Sequence, residues 1–364
     1  MNLLSHNVRS LEGALAALGE PALHATRILR RFYGHHGRPD WADPRLGRRL
    51  RALLEAAPDP NPTRILERVE SDDGTLKLLL GLSDGATAEA VLMPSYREEE
   101  ASACVSTQVG CAMRCDFCAT TRGGLVRNLE GPEIVGQFLH LGAEAQERGR
   151  ALKRLVFMGM GEPLNNLDAV LFAIERIASP ALGALGWRRI TVSTVGLVPE
   201  LDRLTALGLG VHLAVSLHAA DDALRGQIVP TAKRFKVADI VAAARRFQER
   251  RGRIVTFSYC LLADVNDRDA DADALADVLD GSRSHVNVIP YNAIGAGLSG
   301  VVYARPSAER VEHFVERLRA RGVVAHVRDA RGDDVSAACG QLRERRGPHP
   351  FPSPPPLRGR GEVS

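Results

Sequence analysis

Three cysteines lie close together in the chain and give the strongest chemical signal in the sequence. Cys111, Cys115 and Cys118 fall within eight consecutive positions that follow Gly110. Three thiolates suit an iron–sulfur cluster in which one iron keeps an open coordination position, because cysteine normally supplies one ligand per iron. A structural zinc site is the alternative, with Cys104 as its fourth ligand. The sequence offers no second CxxC pair and no nearby histidine to complete a tetrahedral set.

The other cysteines are separated from this cluster and differ in their surroundings. Cys104 precedes it by seven residues and Cys339 follows it by 221 residues, each in a polar, glycine-bearing stretch. Isolated cysteines are more often small buried hydrophobic side chains, and that reading stays open for both. Their sequence contexts nevertheless favour two separate sulfur roles. Cys260 lies in the apolar run 254–262 and is expected in the core.

Composition and charge limit the class of protein. Of 364 residues, 45% are hydrophobic and 25% are charged, which is typical of soluble globular chains and excludes disorder and disulfide-stapled miniproteins. The net charge is +3, and residues 343–364 alone carry five Arg and two Glu. Residues 1–57 carry nine Arg against five acidic residues. A basic docking surface is therefore expected only at the ends of the chain.

Nothing in the sequence indicates export or insertion into a membrane. The opening MNLLSHNVRS has no basic segment followed by a long apolar one, and no run approaches the roughly 18 to 20 apolar residues that cross a bilayer. Cysteines crowded in this way, in a long chain, indicate metal binding in a reducing compartment. These observations predict a cytoplasmic protein without a membrane partner.

Changes in composition divide the chain into four parts. Residues 1–57 are predicted to form a small helical accessory domain. It contains one amphipathic helix with an apolar face of Ala25, Ile28, Leu29 and Phe32. The basic face of this helix consists of Arg27, Arg30 and Arg31. The basic face is interpreted as solvated, with RNA contact as the alternative. Prolines in residues 57–62 predict a linker, so residues 58–84 are assigned to a linker and a small β extension. Residues 343–364, rich in Arg and Pro, are predicted to be disordered.

Residues 85–342 alternate between strands and helices. Apolar runs predict strands at 154–158, 189–193, 212–217, 254–262, 285–289 and 323–327, with helices at 132–146, 167–178, 237–251, 270–279 and 307–321. This alternation predicts an α/β fold with parallel strands, either a barrel or an open doubly wound sheet. Polar or glycine-bearing segments follow nearly every strand, which favours the barrel, because barrels collect reactive groups from many strands on that rim.

The CxxxCxxC segment resembles the signature of the radical S-adenosylmethionine (SAM) superfamily. Six further segments resemble the RlmN/Cfr family of radical methyltransferases that act on adenine in RNA. They are CVSTQVGC at 104–111, RNL at 127–129, MGMGEP at 158–163, STVG at 193–196, SLHA at 216–219 and RGDDVSAACGQL at 331–342. The arginine-rich helix also resembles the amino-terminal domain of this family, more weakly.

The resemblance implies a fold, two cofactors and a pocket. The fold is a partial (β/α)6 TIM-like radical SAM barrel with the small helical N-terminal accessory domain. Cys111, Cys115 and Cys118 would hold a [4Fe-4S] cluster, and two molecules of S-adenosylmethionine would be used per turnover. The residues implied to bind this cofactor are Gly161, Glu162, Ser193, Ser216, Leu217, His218 and Asn292.

The resemblance also implies roles for three further residues. Cys339 would carry the methyl group as S-methylcysteine, and Glu89 would accept the proton from the methylated ring carbon. The stretch from Glu89 to Cys104 is about two residues longer than is usual in the family. Cys104 would then attack the sulfur of Cys339, releasing the product and leaving a transient disulfide.

The substrate implied by the resemblance is an adenine in 23S rRNA, with tRNA as a further substrate. The RGDD segment at 331–334 looks closer to the RlmN branch, which methylates carbon 2, and the Cfr branch, which methylates carbon 8, is the alternative. An electron donor such as flavodoxin or ferredoxin would reduce the cluster. Departures from the family pattern at Thr231, Ala232 and Ala293 are expected in substrate-side loops.

Two other functions are compatible with parts of this pattern. One is a non-catalytic RNA-binding protein that contains a structural metal. The other is a divergent radical enzyme with a different substrate.

Overall fold

The computed structural model describes residues 2–179, 181–182 and 185–343. Three helices come first, α1 (Val8–Ala17), α2 (His24–Gly34) and α3 (Arg48–Glu55). The apolar face of α2 is buried through Ala25, Ile28, Leu29 and Phe32, as its sequence pattern predicts. These side chains join the same hydrophobic cluster as the rest of the core. The proline-rich tail that the sequence predicts to be disordered lies outside the described residues, apart from Arg343.

One sheet of ten strands forms the centre of the molecule. Its first strands are β1 (Arg64–Glu70), β2 (Leu76–Gly81), β3 (Thr87–Pro94) and β4 (Glu100–Cys104), each antiparallel to the next. Two short strands, β5 (Gln108–Gly110) and β6 (Leu125–Asn128), pair with each other outside this sheet. The cysteine segment lies between β5 and β6, so this hairpin presents it.

From β4 onward the sheet is parallel and alternates with helices. Its strands are β7 (Ala151–Phe157), β8 (Ile190–Thr194), β9 (His212–Ser216), β10 (Val255–Leu261), β11 (Ser284–Pro290) and β12 (Val324–Val327). The helices are α4 (Gly131–Glu147), α5 (Leu167–Ala178), α6 (Val198–Ala206), α7 (Asp222–Ile228), α8 (Val237–Arg251), α9 (Asp269–Leu279) and α10 (Ala308–Ala320).

The sheet is open rather than closed on itself. Its strand order is β1-β2-β3-β4-β7-β8-β9-β10-β11-β12, so within the described residues β1 and β12 are edges. Strands β4 and β7 to β11 are each followed by one or two helices before the next parallel strand, which makes six strand–helix units. The prediction of an α/β fold with a partial barrel is therefore confirmed, and a doubly wound sheet is excluded by the sequential strand order.

The two faces of the parallel strands differ in polarity. In β8, Ile190, Val192 and Thr194 are buried while Thr191 and Ser193 are half-buried. The same alternation occurs in β11, where Val286 and Val288 are buried towards the helices. Apolar side chains thus pack outward beneath the helices, whereas hydroxyl-bearing ones point into the barrel. This leaves hydroxyl groups on the interior face, where they can contact a ligand.

Helix α4 fastens the amino-terminal segment to the barrel. A Cβ atom on Gly142 would lie 2.2 Å from Nδ1 of His36, which follows α2. A Cβ atom on Gly136 would lie 2.2 Å from Oδ1 of Asn61 in the proline-rich connection. Glycine is needed at both positions because the two segments approach the helix backbone directly. In the described part of the chain no helix is both long enough and apolar enough to cross a membrane.

Candidate active site

A cavity opens at the carboxyl ends of the parallel strands. It contains about 950 Å³ of atom-free space, which includes space open to solvent. Eight of the residues singled out from the sequence line it: Cys111, Cys115, Cys118, Gly161, Glu162, Ser193, Ser216 and His218. Cys339 joins them from the far end of the chain. The polar segments that follow the strands therefore do come together in space.

The cysteine loop begins at a turn that only glycine fits. Gly110 has φ +73°, and a Cβ atom there would lie 1.9 Å from the carbonyl oxygen of Gly124. That oxygen accepts the N–H of Cys111 at 2.9 Å, so the backbones on either side of the loop are in direct contact. Thr121 Oγ1 donates to the carbonyls of Cys115 and Cys118 at 3.0 and 2.9 Å, which closes the loop.

Asp116 ties this loop to the opposite rim of the barrel. Its Oδ1 accepts the N–H of Ser299 at 2.7 Å, and its Oδ2 accepts the hydroxyls of Ser299 and Tyr303 at 2.5 and 2.8 Å. Burial opposes ionisation of Asp116, but these hydrogen bonds outweigh it and lower the pKa of the carboxyl group. The sequence analysis missed Asp116, because no periodic pattern links it to Ser299.

The three cysteines bind metal only as thiolates, whereas their burial favours the thiol form. Burial raises the pKa of Cys111 to about 12, and it also raises the pKa of Cys115 and Cys118, with neighbouring thiols adding to the effect for Cys111 and Cys115. Binding of iron would displace these protons. The Met113 N–H already points at Sγ of Cys111 at 3.5 Å, as is suitable for a charged sulfur.

The arrangement of ligands favours a cluster over a single ion. Among residues 2–179, 181–182 and 185–343, no three His, Cys, Asp or Glu side chains converge as the ligands of one metal ion do. A cluster instead takes one cysteine per iron, so its ligands stand further apart. The donor set and the shared cavity wall therefore fit an iron–sulfur cluster, and Cys104 does not line this wall.

Gly161 and Glu162 form a cradle beside the cysteine loop. Gly161 has φ +98°, and a Cβ atom there would lie 2.5 Å from Cβ of Gln108. The Glu162 carboxylate is buried and accepts backbone N–H groups from Leu164 at 3.0 Å and Val195 at 2.8 Å. Burial nevertheless raises the pKa of Glu162 to about 7. A cationic ligand in the cavity would favour its ionised form.

The opposite wall of the cavity consists of hydroxyl groups and a neutral histidine. The hydroxyls of Ser193 and Ser216 lie 3.5 Å apart. His218 has φ +62°, and its Nδ1 accepts the N–H of Cys260 at 3.0 Å, so the proton of a neutral ring lies on Nε2. Burial, with the Arg225 charge in a smaller role, lowers the pKa of His218 to about 3. The ring is therefore a hydrogen-bond donor and not a proton shuttle.

Two residues expected in the pocket have other surroundings. The Leu217 side chain packs in the hydrophobic core, because it alternates with Ser216 and His218, which both face the cavity. Asn292 does not line the cavity, and its Nδ2 donates to the carbonyl of Cys339 at 3.2 Å. Asn292 thus positions the backbone of the carboxyl-terminal loop.

The loop that carries Cys339 rests on the cysteine loop. The Ala119 N–H donates to the Gly340 carbonyl at 2.7 Å, and Thr120 Oγ1 donates to the Leu342 carbonyl at 2.5 Å. The Cys339 side chain is exposed towards the cavity, whereas Cys111 and Cys115 are buried. The chain therefore presents one accessible thiol beside three enclosed ones.

Glu89 and Cys104 lie behind this loop. The Glu89 carboxylate, on β3, accepts the N–H of Arg343 at 2.9 Å and lies 3.5 Å from Nζ of Lys77. Lys77 Nζ also donates to the Ser336 carbonyl at 3.1 Å, so the pair holds both ends of the Cys339 loop. The sequence analysis missed Lys77, whose role depends on contacts across more than 250 residues.

Cys104, at the end of β4, is buried as a free thiol. Burial raises its pKa to about 12, and the Cys339 sulfur adds to this effect, which places the two sulfurs within electrostatic reach of each other. All six cysteines are free thiols in this structure.

Two of the residues that differ from the family pattern, Thr231 and Ala293, contact the loops that carry the cysteines. Thr231 Oγ1 donates to the Met113 carbonyl at 2.6 Å, within the cysteine loop. The Ala293 carbonyl accepts Nε2 of Gln341 at 3.3 Å, next to Gly340. Both positions therefore shape the backbone around the cavity.

The Gly110 turn gives a direct test of how the cysteine loop is held. We expect Gly110→Ala to lose most of its iron after anaerobic reconstitution, because its Cβ would meet the Gly124 carbonyl at 1.9 Å. Gly124→Ala is the matched control, with a similar φ of +70° but no atom within 4 Å of its added Cβ. Iron content and visible absorption are the measurements, and equal iron in both variants would contradict this account.

Comparisons with known proteins agree with this geometry. The sequence profile of the radical SAM superfamily matches residues 105–276. A protein of Opitutus terrae named "Probable dual-specificity RNA methyltransferase RlmN 1" is 52% identical over 346 residues, covering 95% of this chain and 98% of the relative. The "Dual-specificity RNA methyltransferase RlmN" of Syntrophobacter fumaroxidans is 41% identical, covering 91% of this chain and 95% of the relative.

A solved structure extends the similarity to three dimensions. The crystal structure of a radical SAM methyltransferase from Sphaerobacter thermophilus superposes with a TM-score of 0.86 at 43% identity, covering 94% of this chain and 99% of that one. Sequence and fold thus agree over nearly the full described length. The chain therefore belongs to the RlmN family of radical SAM methyltransferases.

Proposed function

We propose that this enzyme methylates carbon 2 of an adenine in 23S rRNA, and an adenine in tRNA, by way of a methyl group carried on Cys339. The observation that carries the proposal is the position of Cys339. Its accessible thiol lines the same cavity as Cys111, Cys115, Cys118 and the Gly161–Glu162 cradle. A methyl carrier has to meet both the radical source and the substrate, and Cys339 brings a side chain of the carboxyl-terminal loop to the cavity wall.

Two cofactors act in this cavity, a [4Fe-4S] cluster and S-adenosylmethionine, of which two molecules are used per turnover. Together they supply a methyl group and a carbon-centred radical, which an aromatic C–H position requires because it is a poor nucleophile. Cys111, Cys115 and Cys118 would hold the cluster. An electron donor such as flavodoxin or ferredoxin would reduce it, and the RNA substrates would place the reaction in the cytoplasm.

The cradle and the hydroxyl wall would hold S-adenosylmethionine from two sides. The Glu162 carboxylate is buried where it could accept hydrogen bonds from the amino group of the cofactor, with Gly161 leaving room for it. Ser193, Ser216 and the Nε2–H of His218 would contact its remaining polar groups. Leu217 would contribute through the backbone of this segment, and Asn292 through its hold on Cys339.

Glu89 would accept the proton from carbon 2 of the base that is attached to Cys339. In this structure its carboxylate contacts the Arg343 N–H and Lys77, behind the Cys339 loop. The loop therefore has to shift for the base to reach Glu89, and Lys77 would follow because it binds the Ser336 carbonyl. RNA that enters the cavity would supply the contact that displaces the loop.

Cys104 would release the product. The adduct would lose its C–H proton to Glu89 and its unpaired electron to the oxidised cluster. The Cys104 thiolate would then attack the Cys339 sulfur, the sulfur–carbon bond would break, and the freed exocyclic carbon would take up a proton to become the methyl group. A disulfide between Cys104 and Cys339 would remain and would need reduction by an external dithiol. The high pKa of Cys104 means that this attack requires deprotonation at the time of reaction.

The reaction and its position can be tested together. We expect anaerobically reconstituted protein, given reductant and deuteromethyl-labelled cofactor, to form labelled 2-methyladenosine in rRNA and tRNA, as read by mass spectrometry of nucleosides. Cys339→Ala should keep its cluster and form no product. Labelled 8-methyladenosine would assign the chain to the carbon-8 reaction. If the cofactor is cleaved but neither labelled nucleoside forms, the enzyme has a different substrate. If the wild type forms no product and the Cys339→Ala variant still binds RNA normally, a non-catalytic binding protein is favoured.

The role of Cys104 predicts a trapped adduct. We expect Cys104→Ala to accumulate RNA bound covalently to Cys339, because no neighbouring thiol can break the sulfur–carbon bond. A denaturing gel would show the adduct, and peptide mass spectrometry would locate it. Cys260→Ala is the matched control, since this buried cysteine is also free and within electrostatic reach of Cys339. Adduct in both variants, or in neither, would remove Cys104 from this role.

The raised pKa of Glu162 predicts a pH dependence of cofactor binding. Only the carboxylate binds an ammonium group, so affinity should rise about tenfold per pH unit from about pH 5 and level off near the pKa of about 7. Calorimetric titration of the cluster-loaded protein measures this. Glu162→Gln should bind weakly and lose the dependence, and a flat profile in the wild type would contradict the assignment.

A further inference from the structure

Arg225 is a buried cation that the reaction described above does not use. Its side chain lies on α7 and is 1% exposed, which makes it one of the most enclosed large side chains of the protein. Within the described part of the chain it forms no ion pair, although the Asp222 carboxylate, on the same helix, acts on it electrostatically. Burial lowers the pKa of Arg225 to about 10, which still leaves the group charged at neutral pH. A buried charge whose hydrogen bonds all go to neutral groups is rare in proteins, because desolvation is costly.

The guanidinium binds only neutral groups. Its Nε donates to the Leu217 carbonyl at 2.8 Å, and its Nη2 donates to the carbonyls of Val195 at 2.6 Å and Ser216 at 3.3 Å. These carbonyls lie at the ends of β8 and β9, beside the cofactor cradle. The buried Nη1 atom has no hydrogen-bond partner among the described residues. The hydrogen bonds thus fix the position of the charge without neutralising it.

The cysteine loop packs against the same helix. The Asp116 N–H donates to the Ile228 carbonyl at the end of α7 at 2.9 Å. Thr231 Oγ1, just beyond this helix, donates to the Met113 carbonyl at 2.6 Å. Val195 and Ser216, whose carbonyls the guanidinium binds, line the same cavity as Cys115. Leu224 and Ile228, which flank Arg225 on α7, pack in one cluster with Cys111 and Cys115. The guanidinium therefore lies beside the cavity that contains the three cysteines.

We propose that Arg225 is the counter-cation of the iron–sulfur cluster and that its charge sets the reduction potential of the cluster. The proposal rests on the assignment of Cys111, Cys115 and Cys118 as cluster ligands. A cluster with three thiolates carries net negative charge, and reduction adds one more electron in a medium of low dielectric constant. A fixed positive charge nearby stabilises that electron, so the potential becomes less negative. Arg225 is thus a positioning residue for charge rather than a catalytic one.

The test is a redox titration of the reconstituted full-length protein without RNA, followed by electron paramagnetic resonance. Arg225→Gln removes the charge, and its cluster should reduce only at a more negative potential than in the wild type. Arg225→Lys keeps the charge with fewer hydrogen bonds, and its potential should stay close to that of the wild type. Iron content checks that each variant holds a full cluster.

Arg176→Gln is the matched control. Arg176 is also buried, at 6% exposure, and donates to the carbonyls of Leu4 and Phe172. It differs in having an ion pair with Glu175 at 3.6 Å, and it lies on α5, outside the cavity lining. Its replacement should lower the melting temperature without moving the potential. If Arg225→Gln does not fold, Arg225→Lys still tests the proposal. A large shift in the reduction potential of its cluster would show that the geometry of the side chain matters and its charge does not.

Three results would overturn the inference. They are an unchanged potential in Arg225→Gln, equal shifts in the Gln and Lys variants, or a similar shift in Arg176→Gln. A wild-type protein that binds no cluster would instead refute the ligand assignment. An unchanged potential with full methyl transfer would refute only the role of Arg225.

Discussion

A loop with three cysteines is buried at the mouth of the barrel, and the rest of the site depends on how it is held. Its Met113 and Phe117 pack in one apolar cluster with Ile228 of α7 and Cys260 of β10. Four distant segments hold it by hydrogen bonds. The Gly124 carbonyl binds Cys111, the Ile228 carbonyl binds Asp116, Ser299 and Tyr303 bind the Asp116 carboxylate, and the Gly340 carbonyl binds Ala119. Each of these contacts also places an element of the site: the hairpin, α7, the rim after β11 and the Cys339 loop. A single loop therefore sets the relative positions of the reactive groups.

The buried ionisable groups around this loop suit charged ligands. Burial raises the pKa of Cys111 to about 12 and that of Glu162 to about 7, and Nη1 of Arg225 has no hydrogen-bond partner among the described residues. Arg225 would stabilise an anionic cluster, and a cationic cofactor group would favour the ionised form of Glu162. His218 differs, because its ring stays neutral in either case.

The strand–helix alternation and the cysteine segment can be predicted from the sequence, because they depend on local periodicity and spacing. Periodicity leaves a barrel and a doubly wound sheet open, and the partial barrel is expected from the family resemblance. It is not sufficient for β4, whose five residues Glu100–Cys104 are mostly small and carry weak strand propensity. Contacts such as Asp116 with Ser299 and Lys77 with Ser336 join residues that share no local pattern. Leu217 could have been placed correctly, since strict alternation between Ser216 and His218 turns it towards the core.

The Cys339 loop lies late in the chain, and it completes the support of the cysteine loop. During synthesis the cysteine loop, the cradle and α7 leave the ribosome well before residues 331–342. The contacts of Ala119 with Gly340 and of Thr120 with Leu342 can form only after those residues have emerged. The same holds for the contact of Asn292 with the Cys339 carbonyl. The cysteine loop therefore reaches its final set of hydrogen bonds only after the whole α/β core has been synthesised.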